Sequence, residues 1–350
     1  MASSTASSPL RVGVIGFGKM GLLHASIANG LPIAQLTAAA DPTAGLLESI
    51  KRLKPGLAIY EDYERMLTEQ SLDAVFITSP THLHSPMALA CVQKGIPFLV
   101  EKPLTPRTSE SAALEAALRK TPLTNAVGYM ARHIDTFRKA HAIVASGAMG
   151  RLLHLQSTMY VAQLFRTGEG WRYDPKYSGG GVLITQNSHL VDLLLWIFGP
   201  VAHVTGHVKR WYSTQVDDFA HAVFEFTSGL TGFMDTSWSI RHHRTVDLTI
   251  SVHGENGNLT VTDDDVRLFL DDANAGYVAG WSVWRKPDLF EGVALDVGGP
   301  EYTRQDEQFL NAAAANERVE CDVDSALRVQ RVIEAIYESA ASRRSVALES

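Results

Sequence analysis

The chain has 350 residues, a formal net charge of −7, 45% hydrophobic and 20% charged residues. Such a length suggests two domains, and such a composition suggests a folded globular chain rather than disorder. No block of Lys or Arg is present, which argues against a nucleic-acid partner, because neutralising phosphates needs clustered basic residues. The cysteines, Cys91 and Cys321, lie far apart. That argues against a disulfide framework or a cysteine zinc site and fits a cytoplasmic location.

The start, MASSTASSPL, has neither the basic region nor the apolar region of a signal peptide. Residues 1–9 read as a disordered tail. No apolar run approaches the ~20 residues that span a bilayer, so no membrane partner is expected. From Leu10 to Leu123, short apolar runs alternate with helical segments. RVGVIG, QLTAAAD, DAVFITS, PFLVEKP and NAVGYM read as strands. GKMGLLHASIANG, TAGLLESIKRLK, SPMALACVQKG and TSESAALEAALRK read as the helices between them. Fully apolar strands alternating with helices indicate a parallel sheet covered on both faces. After residue 150 the pattern becomes that of an antiparallel sheet, with FAHAVFEF alternating most clearly and SGLTG as a hairpin turn. VLITQNSHLVDLLLWIF reads as one long helix ended by Gly199-Pro200. The amphipathic tail DSALRVQRVIEAIYESAASR reads as a helix expected to pack on the first domain.

VGVIGFGKMG, residues 12–21, joins the first strand to the first helix. Gly16 permits a tight turn, Gly18 lets backbone N–H groups approach a pyrophosphate, and Gly21 lets helix and strand sit close. The helix start adds oriented donors and partial positive charge. Gly16, Phe17, Gly18, Lys19, Met20 and Gly21 are therefore candidate cofactor residues. Asp41 follows twenty residues after Gly21, where a carboxylate accepts hydrogen bonds from a ribose 2′-hydroxyl. A carboxylate there repels the extra phosphate of NADP, and Pro42 and Thr43 supply no guanidinium to bind it. NAD is favoured over NADP.

TSPTHLH (78–84), VEKPLT (100–105) and YSGGGVLITQNSHLVDLLLW (177–196), in this order after GFGKMG, resemble the Gfo/Idh/MocA oxidoreductases, the glucose–fructose oxidoreductase and inositol dehydrogenase family. The resemblance covers nearly the whole chain. It implies an N-terminal Rossmann dinucleotide-binding domain (10–130) and a C-terminal α/β domain with a large, mostly antiparallel open sheet for substrate binding and oligomerisation (131–335). Residues 336–350 are left as a helix end and tail. The activity implied is interconversion of a secondary alcohol and a ketone on a sugar, sugar derivative or cyclitol, with hydride transfer to nicotinamide. Lys102 matches the family's active-site lysine. It sits at the C-terminal edge of a parallel strand, where it can stabilise charge on the reacting oxygen. Burial and a cationic nicotinamide would lower its pKa. His189 matches the family's histidine, and both residues are expected to handle the hydroxyl proton.

Spacings of four and three put Thr185, His189 and Asp192 on one helix face. Many family members carry aspartate where Thr185 stands, and threonine cannot serve as a base near neutral pH. Asn187 replaces the usual glycine. Ser79, Pro80, His84, Glu101 and Lys102 match stretches that run beside the cofactor in relatives. Tyr129, Arg132, Trp171 and Arg172, with Thr185 and Asp192, match stretches near the substrate; Asp174 lies in the same WRYDP segment.

The resemblance leaves two alternatives open: a redox-neutral, NAD-dependent glycosidase or eliminating enzyme, and a non-catalytic ligand sensor. Retention of Lys102 and His189 argues against the sensor. THLH and RHHR (241–244) lack the spacing of a metal site, so no metal is expected. Asp217-Asp218 and Asp263 to Asp265 read as solvated turns. A homodimer or homotetramer through the second sheet is expected, because so large an exposed sheet face invites aggregation unless covered.

Overall fold

The computed structural model describes residues 8–348. Most of the expected N-terminal tail, residues 1–7, lies outside the described residues. The described residues form two compact units: 8–105 with 109–128 and 292–325, and 106–108 with 129–291 and 326–348. The stretch expected as one continuous second domain, 131–335, is thus interrupted, because residues 292–325 return to the first unit.

In the first unit, β1 (Leu10–Ile15), β2 (Ala34–Ala40), β3 (Ala58–Tyr60), β4 (Ala74–Ile77), β5 (Phe98–Val100) and β6 (Asn125–Val127) form a parallel sheet in the order β3-β2-β1-β4-β5-β6. The chain reverses its direction of travel across the sheet between β1 and β4, the crevice where such folds bind ligands. Helices α1 (Lys19–Gly30), α2 (Ala44–Leu53), α3 (Tyr63–Glu69), α4 (His84–Lys94) and α5 (Ala112–Lys120) connect the strands. All four residues of β4 are fully buried, which explains why its sequence is apolar without alternation. β3 and α3 escape a periodicity reading because three and seven residues give too little pattern.

In the second unit, α6 (Asp135–Ala145) precedes β7 (Leu152–Tyr160), and three short helices follow: α7 (Pro175–Ser178), α8 (Val182–Thr185) and α9 (Ser188–Phe198). β8 (Val201–Lys209), β9 (Phe219–Phe226), β10 (Thr231–Ser237), β11 (Asp247–Gly254), β12 (Gly257–Thr262), β13 (Asp265–Leu270) and β14 (Gly280–Arg285) come next, then α10 (Lys286–Leu289). With β15 (Val346–Ala347) they make a nine-stranded sheet, β14-β13-β12-β11-β7-β10-β9-β8-β15. Only the β7–β10 pair is parallel. Ala220, Ala222, Phe224 and Phe226 of β9 are buried while Val223 and Glu225 between them are exposed, so one face is covered and the other is not.

α11 (Pro300–Ala315) belongs to the first unit, where Phe309 and Leu310 enter the core beside Phe76 and Leu99. α12 (Val323–Ser342) packs from Ala326 onward with the second unit, not the first. Its Ile336 backbone passes so close to β8 that only glycine fits at 206; a Cβ there would lie 2.7 Å from the Ile336 carbonyl oxygen. Among the described residues no single helix is long and apolar enough to cross a membrane.

The segment expected as one helix over 182–198 is two. Gln186 and Asn187 break it, and the helical run 175–185 is inclined by 53° to α9. The local cause is polar. The Asn187 amide turns inward to the Met234 sulfur, and Asp217 holds the start of α8. Asp217 and Asp218, expected as solvated turn residues, are buried. Asp218 accepts backbone N–H groups from Trp211, Tyr212 and Ser213, so its burial is satisfied by hydrogen bonds.

Candidate active site

In the first unit the turn after β1 shows what its glycines do. Gly16 sits at φ +89°, and a Cβ there would lie 2.8 Å from the Ser79 backbone nitrogen. At Gly21 a Cβ would meet the Gly16 carbonyl oxygen at 1.9 Å, so α1 can lie this close only without a side chain. At Gly18 a Cβ would meet nothing within 4 Å, and the residue is exposed. Thr78 donates its hydroxyl to the Gly16 carbonyl, tying the loop after β4 to the glycine turn. The Asp41 carboxylate accepts the Phe17 N–H at 2.7 Å and the Thr43 N–H at 2.9 Å. Phe17 is buried; Lys19 is exposed and Met20 half-buried.

The open space beside Gly18, a helix start and the Asp41 carboxylate together fit a dinucleotide. The enclosed Ser79 hydroxyl makes no hydrogen bond within the protein, and it supplies a polar group beside the glycine turn. Pro80 is half-buried beside it. His84 is buried, and both its ring nitrogens meet backbone carbonyls of the first unit. Its Nδ1 lies 2.9 Å from the Pro103 carbonyl and its Nε2 2.8 Å from the Ser79 carbonyl. Burial holds its pKa below the ordinary value. It joins the loop after β4 to the turn that carries Lys102.

Lys102 is half-buried immediately after β5, and its peptide to Pro103 is cis. Glu101 faces inward. One carboxylate oxygen accepts the Lys102 backbone N–H at 3.1 Å, and the other lies 3.1 Å from His24 Nε2. His24 Nδ1 in turn lies 2.8 and 2.9 Å from the two Asp306 oxygens. Burial alone would lower the His24 pKa, but Asp306 and Glu101 outweigh it and raise it to about 10. The two carboxylates thus favour the charged form of the imidazole. Burial raises the Glu101 carboxyl, yet His24, Lys102 and His84 bring it below the ordinary range. For Asp306 burial prevails, and its carboxyl is raised.

The motif reading missed His24 and Asp306. A histidine three residues past Gly21 on an apolar helix looks structural, and its partner lies 282 positions away.

In the second unit, His189 lies in the first turn of α9 and is buried. The Tyr129 ring meets it edge-on, 5.7 Å between centroids, and is itself buried. Arg132 and Asp192 are joined by hydrogen bonds of 2.8 and 2.5 Å, both fully inside the fold. Each charge is thereby answered by the other, and the Arg132 guanidinium also lies over the Trp196 ring. Thr185 ends α8 and donates its hydroxyl to the Gly181 carbonyl at 2.7 Å. The break after it removes it from the helix that carries His189 and Asp192, so the expected shared face holds two residues, not three. Trp171 is half-buried, with the exposed Arg172 guanidinium stacked 5.6 Å from its ring. Asp174 caps α7 through the Lys176 N–H.

The start of α8 is organised from elsewhere in the unit. Asp217 accepts the Gly181 and Leu183 N–H groups at 2.7 and 2.9 Å and the Tyr337 hydroxyl at 2.7 Å. Burial raises its carboxyl, against the pull of those donors.

Residues 10–129 match the model of an oxidoreductase family with an NAD-binding Rossmann fold, and residues 137–260 match the GFO/IDH/MocA C-terminal domain. An inositol 2-dehydrogenase of Corynebacterium glutamicum is 34% identical over 314 residues, 87% of this chain and 86% of that protein. The chain belongs to the Gfo/Idh/MocA oxidoreductase family. A scyllo-inositol 2-dehydrogenase (NAD(+)) of Bacillus subtilis is 27% identical over 72% of this chain and 73% of its own length. Among solved structures, levoglucosan dehydrogenase in complex with NADH superposes with a TM-score of 0.88. It covers 98% of this chain and 100% of that one at 22% identity, and so shares the fold. This Gfo/Idh/MocA chain therefore carries an NAD-binding Rossmann domain followed by the family's mixed, mostly antiparallel sheet.

Proposed function

We propose that the protein is an NAD-dependent dehydrogenase that interconverts a secondary alcohol and a ketone on a cyclitol, sugar or sugar derivative. The observation that carries this is the 34% identity to an inositol 2-dehydrogenase across 87% of the chain. The open space at Gly18 and the carboxylate of Asp41 support a dinucleotide in the first unit. Residues 16–21, Asp41, Ser79 and Pro80 would hold it, with Asp41 favouring NAD over NADP through repulsion of a 2′-phosphate. Bound nicotinamide supplies the hydride acceptor. Lys102 donates a hydrogen bond to the reacting oxygen and stabilises its developing charge. His189 exchanges the hydroxyl proton, with its ring held by Tyr129. Thr185 hydrogen-bonds but accepts no proton near neutral pH, so these two residues act without a third acid.

Trp171 and Arg172 are assigned to the substrate, as a flat face and a donor for hydroxyls. Arg132 and Asp192 are assigned a supporting role, because their pairing leaves neither charge to spare. The domain roles follow: residues 10–130 for cofactor, and the second domain for substrate and assembly into a dimer or tetramer. A cytoplasmic location is part of the same reading.

Purified protein mixed with NAD and a panel of inositols, sugars and anhydrosugars tests this. The expected result is accumulation of NADH with at least one polyol. Glycoside cleavage with no net NADH would overturn the reading in favour of a redox-neutral enzyme.

A further inference from the structure

The Asp306–His24–Glu101 array is unused by the reaction as described, and it costs the fold three buried ionisable groups. Its elements come from three places in the first unit: His24 from α1 behind the glycine turn, Glu101 from the end of β5, and Asp306 from α11. His24 stacks on Phe76 at 5.3 Å and meets the Tyr302 ring edge-on at 6.3 Å. The charged and titratable groups facing it are therefore Glu101, Asp306 and Tyr302. Those facing Glu101 are His24, Lys102, His84, Tyr302 and, across His24, Asp306.

We propose that His24 is a positioning residue for Lys102: held by Asp306, it grips one oxygen of Glu101 while the other oxygen fixes the Lys102 backbone N–H. This rests on the proton-handling role given to Lys102 above. The chain of contacts is short and enclosed. Rotating the Glu101 carboxylate away from His24 would release the Lys102 N–H as well. The same array sets the charge near the lysine. The Glu101 carboxylate favours the ammonium form of Lys102, and the His24 imidazolium offsets that carboxylate. Asp306 keeps the imidazolium in place by pairing with its far nitrogen. A segment two hundred residues downstream thus completes the Rossmann unit.

The two charges make opposite demands on Lys102, and a merely structural role would not. In competitive acetylation of the full chain over a pH series, the Lys102 peptide is followed by mass spectrometry. In His24→Gln the midpoint of Lys102 labelling is expected to rise by about one pH unit. In Glu101→Gln it is expected to fall by a similar amount. Asp306→Asn keeps the shape of the carboxyl group and should give a smaller rise; it carries the test if His24→Gln does not fold. Unmoved midpoints, or shifts of the same sign in His24→Gln and Glu101→Gln, would overturn the proposal. In turnover, His24→Gln should lower kcat about tenfold and leave the KM for NAD within about threefold.

The labelling needs neither substrate nor cofactor. An inactive wild type with opposite shifts would refute the dehydrogenase reading and leave the positioning intact. An active wild type with unmoved midpoints would do the reverse.

Discussion

Gly18 and Gly21 lie three residues apart and differ in what a methyl group would meet. Gly21→Ala would drive a Cβ into the Gly16 carbonyl at 1.9 Å, whereas Gly18→Ala enters open space. The expected outcome is a split. Gly21→Ala loses about 2 kcal/mol or more in denaturant unfolding, because backbone must shift. Gly18→Ala unfolds within about 0.5 kcal/mol of wild type but binds NAD at least about tenfold more weakly by fluorescence titration, a loss of ~1.4 kcal/mol. Unchanged NAD affinity in Gly18→Ala would refute the assignment of Gly18 to the cofactor. At Lys102 the expectation concerns chemistry rather than binding. Lys102→Met should abolish turnover while NAD affinity stays within about threefold, and normal turnover would remove the lysine from the mechanism. His24 adds a pH dependence. Its folded pKa is raised from 6.5 to about 10, so the stability gained from its charge is whole below about pH 6.5 and is lost as pH rises through about 10. The wild-type melting temperature should fall between neutral pH and about pH 10 more steeply than that of His24→Gln.

At the scale of elements, the start of α8 shows how a distant carboxylate shapes the segment that leads to His189. Asp217 satisfies two buried backbone N–H groups and the hydroxyl of the half-buried Tyr337. Asp217→Ala leaves those donors without their acceptor. It should cost about 2–4 kcal/mol of stability, whereas a substitution at the exposed Asp264 should stay within about 0.5 kcal/mol. Equal thermal melts for the two would show that Asp217 does not hold this start. The same region marks where sequence stops being legible. The long apolar run 182–198 has the composition of one helix, and nothing local in it shows the break at Gln186 and Asn187. The break depends on Met234, and the neighbouring start of α8 depends on Asp217; both arrive from later strands and loops. By contrast, β1, α1 and the glycine turn were legible because their signals are local: apolar run, glycine spacing, helix start. Lys102 and His189 stood out through motif order. The His24 network did not, since its geometry is made of contacts between residues far apart in the chain. The fate of Arg132 and Asp192 was hidden for the same reason, because a motif gives residue types but not which of them consume each other's charge.

At the scale of the whole molecule, the second sheet leaves one face without a covering layer in the described chain. Along one row of cross-strand partners that face carries Val283, Arg267, Thr260, Ser251, Gln156, Phe233 and Val223. Val223 and Val283 are 44% and 51% exposed, and Trp281, on the same strand as Val283, is 64% exposed. Large apolar side chains spread among Ser, Thr, Gln and one Arg on an open sheet face are poor solvent contacts but good packing partners for a second copy of the same face. The pairing is self-complementary in that arrangement: Val223 near one edge and Val283 near the other can each meet an apolar group of the partner. Sedimentation at micromolar protein should therefore show a dimer or tetramer. Replacing Val223 and Phe233 together by glutamate places two like charges on each face of a symmetric contact, where burial of unpaired carboxylates is costly. The double variant should sediment as a monomer, and NAD binding in the first unit should stay within about threefold, because the glycine turn lies in the compact unit that does not contain this sheet. A wild type that sediments as a monomer, or a double variant that still assembles, would show that this sheet face is not the contact.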